Sequence, residues 1–220
     1  MTASLHALAF GAMSARDYHE AIWEALPVGL EPADFQRRSG FLLEHVQPGM
    51  RVLDVGCGEG AFAAVLAAAG AHVTCLDVAE EPLRRARERH SGLESLLVGE
   101  AGPWPLADAS FDVVWAGEVI EHVADTAAWL SELRRVLRSG GSLVLSTPAN
   151  GPLALVAAAL SRRSFARRFD PRGEHLRFYT RATLTRLIED FGFQRVAVRS
   201  AGGPPGARRM LLAHAVRSRF

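Results

Sequence analysis

Apolar residues in the first two-thirds of the chain fall into short, almost unbroken runs separated by segments of helical period. Arg51–Val55, His72–Asp77, Ser95–Val98, Phe111–Trp115 and Ser142–Ser146 each read as a strand. Runs without polar alternation are what a sheet covered on both faces requires. Between them lie helical stretches: Ala61–Ala69, closed by Gly70, and Glu81–Arg89, with Pro82 early, where its missing N–H costs nothing. A third helix is capped by Asp125, turns Leu130, Leu133 and Leu137 to the core, and is expected to end at Gly140. Strand–helix alternation of this kind predicts a doubly wound α/β fold.

The two ends depart from this rhythm. Residues 1–16 are small and weakly patterned, and are expected to form a loose arm. Tyr18–Leu26 reads as a helix with Ile22, Trp23 and Leu26 on one side, broken by Pro27, Gly29 and Pro32. A second helix is predicted over Ala33–His45, stopped by Pro48-Gly49. Near the other end, Leu184, Leu187, Ile188 and Phe191 mark a helix closed by Gly192. Gln194–Arg199 and Met210–Val216 then read as strands joined by the Gly202–Gly206 turn. A connection without a helix forces antiparallel pairing, so one antiparallel hairpin strand is expected. The pattern gives a single domain over 1–220: arm 1–16, helical segment 17–48, core 49–200 with an insert at 151–175, and a last strand within 201–220.

Composition narrows this only a little. At 220 residues, 49% hydrophobic and 22% charged, the chain suits one soluble domain. A net charge of +1 gives no bulk attraction to nucleic acid or anionic membrane. The two cysteines, Cys57 and Cys75, have neither zinc-site nor disulfide-framework spacing, which fits a reducing compartment. No charged segment followed by a long apolar core opens the chain, so a cytoplasmic protein without a secretory signal is expected. The longest apolar stretch, Pro152–Leu160, is too short to span a bilayer.

The chemistry is concentrated where the first strand ends. Val52-Leu53-Asp54-Val55-Gly56-Cys57-Gly58-Glu59-Gly60 runs from a buried strand into alternating glycines and then a helix. Such glycines let a ligand approach backbone, and the new helix offers it unpaired N–H groups. The loop fits a nicotinamide fingerprint and also the D-x-G-x-G-x-G pattern of S-adenosylmethionine binders. Asp54 separates the two, because an acid there suits a cofactor with cationic ammonium and sulfonium groups rather than a pyrophosphate. Asp77, ending the second strand, can accept ribose hydroxyls in either case. Glu100, after the third, can accept from an adenine amine.

Over residues 33–200 the chain resembles the class I S-adenosylmethionine-dependent methyltransferases. The resemblance is carried by VLDVGCGEG, VTCLDVAEEPLRRAR, FDVVWAGEVIEHVAD, GGSLVLSTPAN and GEHLRFYTRATLTRLIEDFGF. Within the class it looks most like small-molecule O-methyltransferases of the ubiquinone-biosynthesis type. It implies a Rossmann-like sheet of seven strands with the last inserted antiparallel. It further implies that Gly56, Gly58 and Gly60 meet the methionine part, Asp77 the ribose, and Val78 and Ala101 the adenine faces, with Cys57 and Gly117 completing the cofactor set. Relatives usually have Asp where this chain has Glu100. In this class the helix bearing Tyr18 and Trp23 often folds over the site as a lid. Arg37 is a candidate for the cofactor carboxylate.

Gly117-Glu118-Val119-Ile120-Glu121-His122 follows the fourth strand. If this stretch is helical, Glu118 and His122 share a face, and His122 can take a proton from a hydroxyl. In some ubiquinone-type relatives Glu118, Glu121 and His122 are implicated in holding a divalent ion; no metal is assigned here. His175 matches a segment bordering the substrate pocket. The expectation is methyl transfer to a small molecule at a hydroxyl, by a monomer or homodimer. Alternatives are N- or carboxyl methylation, or a nicotinamide-dependent oxidation. Residues 153–169, apolar and then rich in arginine, read either as a substrate cover or as an interfacial helix touching anionic lipid. Nothing marks a nucleic-acid substrate: there is no N-P-P-Y run, no Pro-Cys nucleophile and no basic aromatic stripe.

Overall fold

A computed structural model describes residues 14–100, 102–170, 174–204 and 208–219. The strands are β1 (Arg51–Val55), β2 (His72–Asp77), β3 (Glu94–Leu97), β4 (Phe111–Gly117), β5 (Leu137–Pro148), β6 (Phe193–Ala201) and β7 (Met210–Arg217). The helices are α1 (Ala15–Ala25), α2 (Phe35–Leu43), α3 (Ala61–Ala68), α4 (Glu80–Arg89), α5 (Thr126–Val136), α6 (Pro152–Ala159), α7 (Arg162–Arg168) and α8 (Arg181–Asp190). The strands form one seven-stranded sheet in the order β3-β2-β1-β4-β5-β7-β6. Only β7 runs antiparallel to its neighbours, slotted between β5 and β6. The expected fold, with one antiparallel hairpin strand, is the one observed.

The unbroken apolar runs are explained by two covered faces. Leu53, Val55, Val114, Ala116 and Leu143 alternate onto one face, against Trp129 and Leu133 of α5 and Leu184 and Ile188 of α8. Val52, Val113, Trp115 and Val144 point the other way, toward Phe41 and Leu42 of α2 and Phe62 and Leu66 of α3. β1 pairs in parallel with both β2 and β4. Its connection to β2 and the connection from β4 to β5 leave for opposite faces, which opens a crevice beyond the carboxyl ends of β1 and β4.

Three boundaries differ from expectation for local reasons. α5 ends at Val136 rather than Gly140, because Leu137 already has extended backbone and pairs with Phe111 of β4. Gly140 then lies inside β5 with φ +74°, where the β4–β5 register shifts. α1 begins within the expected arm: Ser14 caps it, and its hydroxyl and the Asp17 carboxylate form a capping box. The rest of that arm, residues 1–13, lies outside the described residues.

Candidate active site

The glycine loop is shaped by what stands next to it. Gly56, Gly58 and Gly60 have φ of +66°, +54° and +78°, a region that strains any other residue. A Cβ on Gly56 would lie 2.5 Å from Val119, and one on Gly58 2.7 Å from the Trp23 ring. Gly56 therefore lets the β1 loop meet the β4 loop, and Gly58 lets α1 close down on it. A Cβ on Gly60 would meet His90 and Leu93, each at 3.2 Å. Cys57 is buried and packs with Cys75 and Leu83, away from the crevice.

A cavity of about 260 Å³ fills the crevice. Gly56, Asp77, Val78, Glu100, Glu118 and His122 line it. Its roof is His19, Ile22, Trp23 and Leu26, successive positions on one side of α1. Asp77 is buried and takes N–H bonds from Gly58 at 3.0 Å and Ala79 at 3.1 Å, which ties the glycine loop to the end of β2. The Glu100 carboxylate accepts the Ala124 N–H and so closes the β3 end against the β4 loop. Beneath it, Val98, Trp104 and Trp129 make an apolar slot. Ala101 lies outside the described residues.

Asp54 sits behind Gly56, 1% exposed, and its Oδ2 makes no hydrogen bond. Burial, with Asp77 nearby, lifts its carboxyl to about 7, against the pull of Arg38 and the Ala63 N–H. Arg38 is the cation that reaches this region. It is 3% exposed, lies over the Phe62 ring at 4.7 Å, and would block a Cβ on Gly117. Arg37, the expected candidate, is half-exposed and paired with Asp34 at the surface. Arg38 lies on the same side of α2 as the buried Phe41 and Leu42, a spacing that could have picked it out from the sequence.

The Glu118–His122 segment is a turn, not a helix, because Glu118 has a left-handed φ of +59°. Glu118 and His122 therefore do not share a helical face, although both line the cavity. Glu118 accepts from the Ser146 hydroxyl at 2.9 Å. Glu121 is 1% exposed and accepts from Thr147 at 2.9 Å, while its Oε1 has no hydrogen-bond partner. Burial and the neighbouring Glu118 push Glu121 up to about 8.

The backbone N–H groups of Leu176 and Arg177 donate to the Glu121 carbonyl at 2.8 and 3.1 Å. This strap brings His175 to a ring distance of 4.9 Å from His122. His19, from α1, stands 6.3 Å from His122 on another side. His19 was not foreseen from the sequence, although its spacing with Ile22, Trp23 and Leu26 was available. Tyr18 stacks edge-on against His19, outside the cavity lining. His122 Nδ1 lies 3.0 Å from the Glu174 carbonyl. Burial, then His175 and His19, depress the imidazole to about 4 despite that bond. Ligand-capable atoms of Glu121, His122 and His175 lie within 4.8 Å of one another and could together hold a divalent cation, whereas Glu118 is turned to Ser146.

Comparisons with known proteins agree with this geometry. A family model described as a methyltransferase domain matches residues 53–145. A ubiquinone biosynthesis O-methyltransferase of Psychrobacter arcticus is 33% identical over 210 residues, covering 89% of this chain and 77% of that protein. A malonyl-[acyl-carrier protein] O-methyltransferase of Erwinia pyrifoliae is 42% identical over 130 residues, 58% of this chain and 49% of that one. The chain thus spans about half the length of two malonyl-[acyl-carrier protein] O-methyltransferases that it matches. Among solved structures, a Haemonchus contortus phosphoethanolamine N-methyltransferase 2 in complex with S-adenosyl-L-methionine superposes with a TM-score of 0.72 at 17% identity, covering 92% of this chain and 57% of that one. The chain belongs to the class I S-adenosylmethionine-dependent methyltransferases. The nicotinamide reading is set aside with that result.

Proposed function

We propose that this protein transfers the methyl group of S-adenosylmethionine to a hydroxyl oxygen of a small molecule in the cytoplasm. The cofactor supplies a sulfonium-bound methyl group for in-line displacement. The chain's residues fit it: a buried, unpaired Asp54 oxygen beside the glycine loop suits the ammonium, and Arg38 suits the carboxylate. Asp77 would take the ribose hydroxyls, Val78 and the Val98–Trp104 slot the adenine faces, and Glu100 the adenine amine.

One observation carries the choice of acceptor. The Glu174 carbonyl can only accept a hydrogen bond, so His122 Nδ1 holds the ring proton. Nε2 of the neutral ring is then a bare lone pair at the cavity. That atom repels a carboxylate and welcomes a group bearing a proton. An oxygen that is being methylated becomes a strong acid, so even an imidazole near 4 takes its proton. Trp23 and His19 exclude water from above, and His175 backs His122. A divalent ion on Glu121, His122 and His175 would lower the acceptor's own pKa.

The test is His122→Ala against a panel of phenolic and carboxylic acceptors. Turnover of the phenols is expected to fall about 10²–10⁴-fold, with affinity for S-adenosylhomocysteine unchanged. Turnover of carboxylic acids alone, indifferent to the substitution, would replace this reading with carboxyl methylation.

A further inference from the structure

The segment from α6 to Phe178 has a surface that the cofactor site does not account for. α6 reads Pro-Leu-Ala-Leu-Val-Ala-Ala-Ala, apolar on every side, and a helix of that kind is ordinarily buried. Here Leu153, Val156 and Leu160 are 60%, 57% and 85% exposed. Of the twelve large hydrophobic side chains exposed among the described residues, eight fall between Leu153 and Phe178. The exposure is therefore concentrated on one small part of the molecule rather than scattered.

Through α6 and α7, ahead of Asp170 and Glu174, this surface has a charge of one sign. Arg162 and Arg163 open α7 and are exposed, and residues 151–169 contain no acidic side chain. Phe165, Phe169 and Phe178 form a chain of rings, with centroids 4.7 and 5.9 Å apart. Arg168 lies over Phe178 and donates to the Asn150 side chain, which fixes α7 to the end of β5. An apolar surface bordered by arginines matches a lipid interface with anionic headgroups, where apolar side chains enter the acyl boundary and guanidinium groups meet phosphate.

We propose that α6, α7 and the Leu176–Phe178 strap form a docking surface for an anionic membrane. No described helix is long and apolar enough to cross a bilayer, so the attachment is peripheral. The strap is also hydrogen-bonded to Glu121 and carries His175. Docking here sets the His122 side of the cavity toward the lipid. This surface stands whether or not the acceptor is a hydroxyl.

Flotation with vesicles of phosphatidylcholine alone and of phosphatidylcholine with 30 mol% (about a third) phosphatidylglycerol tests it. The intact protein is expected to float with the anionic vesicles, more weakly as salt rises, and poorly with the neutral ones. Arg162→Glu with Arg163→Glu is expected to lower the bound fraction about tenfold or more. Val156→Ser with Leu160→Ser is expected to abolish flotation at all salt concentrations. Both double variants are to keep the parent affinity for S-adenosylhomocysteine, which separates lost docking from lost folding. Light scattering on the same samples supplies the competing outcome. A dimer that dissociates in the Val156→Ser, Leu160→Ser variant, or no flotation of the parent, would overturn the proposal.

Discussion

Asp54 bears a heavy electrostatic load in the site. Its carboxyl is raised from 3.8 to about 7 by burial, with one oxygen unpaired. An acid held that high is half-protonated near neutrality, so the local field depends on pH in the working range. S-adenosylmethionine brings an ammonium and a sulfonium, and each favours the ionised carboxylate. Affinity for the cofactor is therefore expected to rise as pH climbs through about 7 and to level off above it. Asp54→Asn should bind more weakly at pH 8 and lose that dependence. Calorimetric titrations at pH 6 and 8 on both proteins check this; an Asn variant with the parent's pH slope would remove Asp54 as its source. The same scale shows where the sequence was informative. Asp54, Asp77 and the glycines were legible because strand ends and turns constrain residue type tightly. Arg38 was missed, because choosing it over Arg37 needs the phase of α2, which only its spacing from Phe41 and Leu42 signals.

α1 shows how an element with little core of its own can still roof a site. None of its described side chains is fully buried. It is held by polar groups of α4 and the glycine loop instead. Arg85 donates to the Trp23 carbonyl at 2.8 Å and the Leu26 carbonyl at 3.0 Å, where the helix ends. The same guanidinium pairs with Glu59 of the glycine loop at 3.0 Å, and Glu59 accepts the Gly29 N–H at 2.7 Å. At the other end of α4, Glu20 accepts the Glu81 N–H. Closure of α1 and the shape of the glycine loop thus share one network. Arg85→Ala is expected to speed release of S-adenosylhomocysteine and to raise hydrogen exchange in residues 15–26 while β1 and β4 keep their protection. Stopped-flow fluorescence and exchange mass spectrometry measure the two; unchanged exchange in α1 would show that the roof is held by its apolar face alone. Little of this was visible in the sequence. Periodicity placed β1 and β2 to the residue, since apolar runs ending in Gly or Asp leave little choice. It overran α5, because Leu137 satisfies a helical face and a strand equally well until its pairing with Phe111 decides.

At the scale of the whole molecule, the doubly wound sheet was legible because strand–helix alternation admits few right-handed arrangements, and the cofactor crevice comes with it. On the His122 side of the cavity single residues, Trp23, His122 and His175, were named, but not their meeting, since α1, the β4 turn and the 174–178 strap come together only in the folded chain. The carboxyl ends of β1 and β4 gather acids with raised pKa values, Asp54 to about 7 and Glu121 to about 8. Both are ordinary carboxylates once the chain unfolds, whereas His122 and His214, held down to about 4, become ordinary imidazoles, so it is between about pH 6.5 and pH 8 that the native protein binds more protons than the unfolded one. Stability of the cofactor-free protein is therefore fully expressed at the acid end of that window and falls as pH rises through it. A ligand that supplies a positive charge to the cavity opposes the loss. S-adenosylhomocysteine, which keeps its ammonium group, should stabilise the fold by about 2.7 kcal/mol at a hundred times its Kd, or roughly 5–10 °C in Tm for a domain of this size. The cofactor-free Tm should drop from pH 6 to pH 8, and the gain on adding ligand at fixed concentration should be larger at pH 8. NADH at the same concentration should give no shift at either pH. Thermal melts in the four ligand–pH combinations, with cofactor-free controls, decide it: a ligand gain that shrinks at pH 8 would mean that these buried acids do not face the bound cofactor.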